Sequence, residues 1–296
     1  MRVGDGKMQV QDNVKLSTKT TFHVGGYTKK LYLPENEKEL IHIAAELYER
    51  EGKVYLLSGG SNLLINDQRE FESVISMKEA CTELLDRGNG RFCIGASNRI
   101  QKVISFLNEH GHGGFEELIG LPAMFGGIVC MNAGIGGENS PLFTISEFIE
   151  YVKVYDLKQK IVKEIRGNEC GFSHRTSLFQ NGKYVILGAE ILCKAVEIEK
   201  LEKKKKDRLD FCKNNFEYGK GCFGSCFSRC NGKLLRLISI LYPKNTNGIH
   251  FGKNTCNWLV NGGEGTFKEA YDIIRTSEKI HGLLHQKIRC EVVIWE

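Results

Sequence analysis

GLPAMFGGIVCMNAGIGGE, residues 120–138, sets six glycines (Gly120, Gly126, Gly127, Gly134, Gly136 and Gly137) around an apolar run. Glycine has no Cβ and accepts positive φ. Such a run therefore suits a backbone that something large and flat approaches closely, a phosphate or a cofactor ring wrapped by main-chain N–H groups. A second stretch of this kind lies upstream, where Leu57-Ser58-Gly59-Gly60-Ser61-Asn62-Leu63-Leu64 follows the strand-like Val54-Tyr55-Leu56. Strand, glycine turn and apolar run in that order make a phosphate-cradle pattern. Neither stretch matches G-x-G-x-x-G or G-x-x-x-x-G-K-[ST], so the two common nucleotide fingerprints are not in use. Glycine clusters also serve as plain turns between strands, and either stretch alone fits that reading equally well. Their occurrence together favours the cradle.

A length of 296 residues suggests about two domains and suffices for a sizeable core. Apolar content of 41% and charged content of 26% are ordinary for a soluble globular protein. No window reaches the roughly 18 uninterrupted apolar residues of a membrane span, and Met1 to Lys7 lacks the apolar core of a signal peptide. A cytoplasmic protein without a membrane partner is expected. The net charge of +5 owes much to Lys203, Lys204, Lys205 and Lys206, inside a segment of helical composition from Ile198 to Lys220. With few aromatics beside it, this run reads as a solvated helix face, not a nucleic-acid patch. The mild positive balance fits an anionic small molecule equally well. Eleven cysteines without a signal peptide read as reduced thiols. Cys222, Cys226 and Cys230 invite a metal reading, but their spacing matches neither C-x₂-C pairs nor the common iron–sulfur patterns, so coincidence is the better reading and no metal is expected.

In chain order, the first dozen residues read as a weakly ordered lead-in. Thr20 to Gly26 ends in a glycine turn before a short strand, Lys30 to Pro34. Glu37 to Arg50 reads as a helix with Leu40, Ile43, Ala44 and Leu47 on one stripe, and the strand Val54 to Leu57 completes a β-α-β start. Ser73 to Ser76 and Phe92 to Ile94 are strand-like, and Ile100, Val103, Ile104 and Leu107 mark a helix ending near Gly111. Tyr151 to Tyr155 and Lys160 to Ile165 form a plausible hairpin, and Val185 to Cys193 alternates as a half-buried strand. Beyond the lysine-rich segment come a glycine and cysteine loop (Gly219 to Gly224), a helix (Lys233 to Leu241), a strand (Asn257 to Val260) and a helix (Thr266 to Ile280). The helix turns Phe267, Ala270, Ile273, Ile274, Ser277 and Ile280 inward. In the last segment Ile288, Cys290, Val292 and Ile294 alternate against Arg289, Glu291, Val293 and Trp295, which places Glu291 opposite the four apolar residues. The fold class is α+β, a larger first domain followed by a smaller α/β domain.

Three residues could carry chemistry. Arg175, in Gly171-Phe172-Ser173-His174-Arg175-Thr176-Ser177, is a permanent cation among small hydroxyls and suits a carboxylate or an enolate oxygen; alone, it also reads as a surface arginine. Ser225, after Gly224, could give a proton to a carbanion, although Gly-Ser is more often only a turn. Glu291 could act as a general acid or steady a developing charge, and unaided it reads as a surface carboxylate.

In this order the pieces resemble the UDP-N-acetylenolpyruvoylglucosamine reductases. Thr21-Phe22-His23-Val24-Gly25-Gly26 is similar to the family's Thr-Phe-His-Ile-Gly-Gly. Gly59-Gly60-Ser61-Asn62-Leu63-Leu64 is similar to its flavin pyrophosphate turn, and Leu121-Pro122 through Gly126-Gly127 with Met131-Asn132-Ala133-Gly134 to its second flavin stretch. The resemblance covers nearly the whole chain. It implies a two-part FAD-binding domain of the vanillyl-alcohol-oxidase/PCMH type at residues 14–195, with subdomains at about 14–78 and 79–195, a substrate-binding domain at 196–285, and a C-terminal strand, 286–296, returning to the first domain. It implies FAD held non-covalently by Leu57, Ser58, Gly59, Gly60, Ser61, Asn62, Leu63, Gly120, Pro122, Gly126, Gly127, Asn132, Ala133 and Gly134, with NADPH as reductant and a nucleotide-sugar substrate touching Arg229 and Asn257. Arg175 lies in His-Arg-Thr-Ser, similar to the family's Tyr-Arg-x-Ser, whose arginine polarises the enolpyruvyl carboxylate. Ser225 matches the proton-donating serine of Gly-Ser-x-Phe-Lys-Asn-Pro, and Glu291 the glutamate that partners that arginine. A monomer is expected.

The chain departs from the family on the substrate side. Ser228-Arg229-Cys230 replaces Lys-Asn-Pro, His174 replaces the tyrosine, and Thr255 stands where a histidine precedes the Asn-Phe-(Ile/Leu)-Val-Asn strand, here Asn257-Trp258-Leu259-Val260-Asn261. The alternatives are a paralogue reducing another nucleotide-linked enolpyruvyl sugar, or a non-catalytic flavin or nucleotide-sugar binding protein. Joint retention of Arg175, Ser225 and Glu291 argues against the latter.

Overall fold

Helix α1 (Glu37–Glu51) begins where the Asn36 side chain accepts the Glu39 N–H and stops at Gly52, left-handed at φ 68°. Its stripe Leu40, Ile43, Ala44 and Leu47 is buried, as the spacing demands. The structure is a computed structural model and describes residues 8–137, 140–217, 219–242 and 247–296. Glu138, at the end of the second glycine stretch, lies outside them, as do the first seven residues of the expected lead-in.

Strands Tyr27–Leu33 and Leu56–Leu57 both run parallel to Glu70–Ser76, which lies between them; Gln9–Lys15 closes the edge antiparallel to Tyr27–Leu33. The β-α-β start is therefore present, with a third strand inserted in the middle. Gln9–Lys15 was expected as lead-in because it is exposed along nearly its whole length and shows no apolar alternation.

A second sheet is antiparallel, in the order Ile161–Arg166, Ile149–Asp156, Tyr184–Leu192, Arg91–Gly95, Leu84–Gly88. The strand expected to be half-buried sits in its middle, and Val185, Ile186, Leu187, Ala189 and Ile191 are all buried. Helix α2 (Ile100–Glu109) buries Ile100, Val103, Ile104 and Leu107 in the same core. The second glycine stretch is more than a loop: Phe125–Cys130 forms the short helix α3, seated by Phe125 N–H on Asn98 O and Gly126 N–H on Ala96 O, 2.9 Å each. An added Cβ on Gly126 would come within 2.8 Å of the Ala96 Cβ, so the close seat requires glycine.

Helix α4 (Ile198–Asn215) carries the four lysines. The segment expected as a loop, Gly219 to Gly224, becomes a strand from Gly221: Gly221–Ser225, Trp258–Asn261 and Ile249–Phe251 form a three-stranded sheet. Helices α5 (Gly232–Leu241) and α6 (Phe267–Leu283) pack with that sheet, and α6 opens with a reciprocal Thr266–Glu269 cap. The buried stripe of α6 ends on His281, not Ile280. Both ring nitrogens of His281 are engaged, by Ser277 O at 2.8 Å and the Asn231 N–H at 3.2 Å, which explains why a histidine is tolerated there.

The last segment is two strands, not one. Arg289–Cys290 pairs with Phe227–Arg229, and Val293–Trp295 runs parallel to Leu63–Ile65. The break falls at Glu291 and Val292.

Candidate active site

The first glycine turn meets the second. A Cβ on Gly59 would lie 3.1 Å from Pro122 O and 3.4 Å from Met124 N, and the nearest atom to a Cβ on Gly127 is Ser58 Oγ, at 3.6 Å. Gly60 is left-handed at φ 64°, and a Cβ there would stand 2.4 Å from Lys19 O. Among the described residues, the N–H groups of Gly59, Gly60 and Ser61 donate no hydrogen bond, and the buried Ser58 Oγ has no partner. An unpaired hydroxyl and a set of open main-chain donors between two glycine runs fit a dinucleotide phosphate and its attached ring. Leu57 and Leu63 contribute backbone only, since their side chains are buried in a small core with Leu16 and Trp295.

Asn62 links the turn to the catalytic candidates. Its Nδ2 donates to Glu291 O at 2.9 Å, and its own carbonyl accepts the Val293 N–H at 3.0 Å. Asn132 ties the second stretch to the arginine loop: its amide donates to Ser173 O at 2.8 Å and accepts the Ser146 N–H at 3.3 Å. With Asn132 only 3% exposed and its amide so engaged, its part here is to hold the backbone. Ala133 does likewise, its N–H on Ile128 O and its carbonyl receiving the Ile145 N–H. Gly134 lies against Arg175 Nη1, 3.2 Å from where a Cβ would be. A cavity of about 260 Å³ opens between these elements, lined by Asn132, Gly134, Phe143, Phe172, His174 and Arg175 among others. Gly120 is half-buried and Pro122 exposed on the approach to α3.

Arg175 occupies a left-handed backbone conformation, φ 55°. Its Nε stands 3.3 Å from Glu291 Oε2, with 19% and 12% of the two side chains exposed. The angle is outside hydrogen-bond geometry, so Oε2 is ion-paired but keeps an open acceptor position. Burial pushes the Glu291 carboxyl above its ordinary range, and Arg175 and Arg289 pull it back down. The surface carboxylate expected from residue type alone is thus a largely shielded one. The Glu291 N–H donates to Cys226 O at 2.9 Å, which puts the carboxylate's strand against the residue next to Ser225. Among the described residues the Ser225 side chain makes no hydrogen bond, and Gly224 before it is left-handed at φ 81°. Arg175 and Glu291 are therefore brought together from distant segments, and Ser225 is linked to them through the neighbouring Cys226 carbonyl.

Asn257 sits behind this group. Its amide clamps both backbone groups of Phe227, at 2.8 and 3.0 Å, and its carbonyl accepts the Cys226 N–H at 2.7 Å. Arg229 is exposed on the strand paired with Arg289. Sequence reading passed over Arg289, whose Nε donates to Ser228 Oγ at 2.8 Å and whose Nη2 donates to His174 O. No spacing rule could have found it, because its partners come from two distant segments. All eleven cysteines are free thiols, and among the described residues no group of three or more His, Cys, Asp or Glu is placed to hold a metal ion.

Residues 28–164 match the model of the FAD binding domain family. Curated relatives named UDP-N-acetylenolpyruvoylglucosamine reductase include one from Leptospira interrogans, 28% identical over 283 residues, covering 90% of this chain and 86% of the relative. Another, from Borreliella burgdorferi, is 27% identical over 287 residues, covering 93% and 91%. The crystal structure of the enzyme of that name from Thermus caldophilus has the same fold, with a TM-score of 0.78 at 23% identity, over 98% of this chain and 100% of the other. With a match to the FAD binding domain family at its front and these relatives along almost its full length, the chain is similar to the UDP-N-acetylenolpyruvoylglucosamine reductases.

Proposed function

We propose that this protein uses NADPH and FAD to reduce the enolpyruvyl ether of UDP-N-acetylglucosamine to UDP-N-acetylmuramate, a peptidoglycan precursor, in the cytoplasm. In this reading residues 14–195 hold the flavin, 196–285 receive the nucleotide sugar, and 286–296 return Glu291 to the flavin side. The observation that carries it is the largely shielded Arg175–Glu291 pair, tied through the Glu291 N–H to the residue after Ser225 and bordering the two joined glycine stretches.

FAD, when bound, supplies hydride to the enol-ether β-carbon. The rest is the work of this chain. Gly59, Gly60 and Ser61 present main-chain N–H groups to the pyrophosphate, and Ser58 Oγ gains there the partner it otherwise lacks. Arg175 faces the substrate carboxylate and stabilises the negative charge that develops on it. Glu291 holds the guanidinium in place, and its low exposure makes that electrostatic field stronger than at an open surface. Ser225 gives its hydroxyl proton to the α-carbon and is reprotonated from solvent. The left-handed Gly224 sets the direction of that hydroxyl. Among the described residues no helix is long and apolar enough to cross a membrane.

The test is an absorbance spectrum of the purified protein, followed by anaerobic NADPH and then substrate. A flavin spectrum that bleaches with NADPH and returns with the enolpyruvyl sugar is expected. A colourless protein that takes up no added FAD would overturn the cradle, and bleaching without recovery would overturn the acceptor.

A further inference from the structure

We propose that Arg289 is a positioning residue that fixes the peptide leading into Arg175 and docks the arginine loop onto the strand that follows Ser225. The inference rests on the reductase reading above for its kinetic arm only.

Arg175 stands at the tip of a tight reversal. Ser173 and Thr176 exchange both backbone hydrogen bonds at 3.0 Å, so His174 and Arg175 form a two-residue tip. A non-glycine residue with φ 55° is held against its own preference, and the surroundings must hold it there. The peptide between His174 and Arg175 sets that φ. Its carbonyl oxygen, His174 O, accepts from Arg289 Nη2. The same guanidinium donates through Nε to Ser228 Oγ at 2.8 Å, and the Ser228 hydroxyl lies 3.3 Å from Arg289 O. His174 Nε2 lies 3.2 Å from Ser228 O. Arg289 thus spans two elements that the His174–Ser228 contact also joins.

The two residues it joins, His174 and Ser228, are two of the positions at which the chain departs from the family pattern. A lysine at 228 would set a second cation against the guanidinium in place of an acceptor. The two departures fit together with Arg289: a serine whose hydroxyl accepts from the guanidinium, and a histidine whose Nε2 lies 3.2 Å from Ser228 O. A planar fork suits two separated acceptors, and a single ammonium does not.

The test uses FAD-loaded Arg289→Ala, its loading verified by spectrum. The rate of flavin bleaching by NADPH should match wild type, while kcat with the enolpyruvyl substrate falls about tenfold to a hundredfold with little change in KM, the cost of a small misplacement. Guanidinium ion added at millimolar concentration should restore part of kcat, because the site is exposed. Arg289→Lys should not. An unchanged kcat, a rise confined to KM, or full activity in Arg289→Lys would overturn the proposal. Hydrogen exchange separates it from the reductase reading: the amides of Ser173 and Thr176 should lose protection in Arg289→Ala with no substrate present. Unchanged protection refutes the positioning role even if the wild type proves inactive on this sugar, whereas lost protection with an inactive wild type refutes only the substrate.

Discussion

A carboxylate with 12% of its side chain exposed, 3.3 Å from one arginine nitrogen, bears a desolvation cost that a single ion pair offsets only in part. Glu291 accordingly holds its proton to higher pH than the ordinary value of 4.5. Between that value and the folded one, the native state binds more protons than the unfolded chain, so stability is lost as pH rises through the window. Thermal melts of wild type and Glu291→Gln should therefore diverge in favour of the glutamine variant as pH increases from about 4.5, then run parallel. A gap that closes with rising pH would contradict the burial argument. Cys226 and Cys290 face the same carboxylate, but burial holds their thiols up, Cys290 to about 11, so neither titrates in that range. Ser225 is tested by Ser225→Ala, in which the flavin spectrum should persist while kcat falls by about 10² to 10⁴, the usual contribution of a positioned proton donor. Full turnover would remove the serine from the mechanism. Arg175, Ser225 and Glu291 could be singled out as candidates because their residue types sit in short motifs. Asn62 as the clamp on Glu291, Asn257 as the clamp on Phe227 and Arg289 as a bridge were not, since each contact joins distant segments and leaves no local pattern.

At the scale of elements, what could be read was what is periodic. Helices α1, α2 and α6 follow from apolar residues three and four apart, and the hairpin Ile149–Asp156 with Ile161–Arg166 from its alternation. Gln9–Lys15 and Leu84–Gly88 were missed because edge strands with almost every side chain in solvent carry no period-two signal. Gly221–Ser225 read as a loop because its two glycines mimic a turn, whereas Gly221 is small for another reason: a Cβ would come within 2.7 Å of Phe22 O. The glycine turn itself makes a sharp prediction. Gly60→Ala combines a left-handed φ with a Cβ 2.4 Å from Lys19 O, so the turn must move. FAD affinity, measured by quenching of flavin fluorescence, should weaken by tenfold or more, while Gly52→Ala, left-handed but open, should cost stability of about 1 kcal/mol and leave FAD binding intact. Equal effects on FAD would mean that the turn does not touch the cofactor.

Across the whole molecule, the two ends of the chain stitch the larger and smaller parts together. Near the N-terminus, Thr21 Oγ1 donates to Cys222 O at 2.6 Å, the Cys222 N–H returns to Thr21 O at 3.0 Å, and Asn261 Nδ2 donates to Phe22 O at 2.9 Å. The Phe22 ring meets Phe223 at 4.2 Å between centroids. At the C-terminus, Val293–Trp295 lies along Leu63–Ile65, the strand that leaves the glycine turn, and Trp295 packs 5.0 Å from Tyr55 and 5.8 Å from Phe71. Since Val292 belongs to the core of α5 and α6 while Trp295 belongs to that of Leu57 and Leu63, four residues of chain connect two cores, with Glu291 just ahead of them. Truncating Trp295 to alanine should cost about 3 to 5 kcal/mol, as for other buried aromatics. Because the lost packing supports the strand following the glycine turn proposed to hold FAD, added FAD should recover part of the stability by binding only the folded state. Urea melts of wild type and Trp295→Ala, each with and without FAD, read both effects. If the tryptophan matters only as local filling, the FAD-dependent shift at a given FAD concentration will be the same in both proteins; if it supports the turn, the shift will be smaller in Trp295→Ala, because the weakened strand binds the cofactor less tightly.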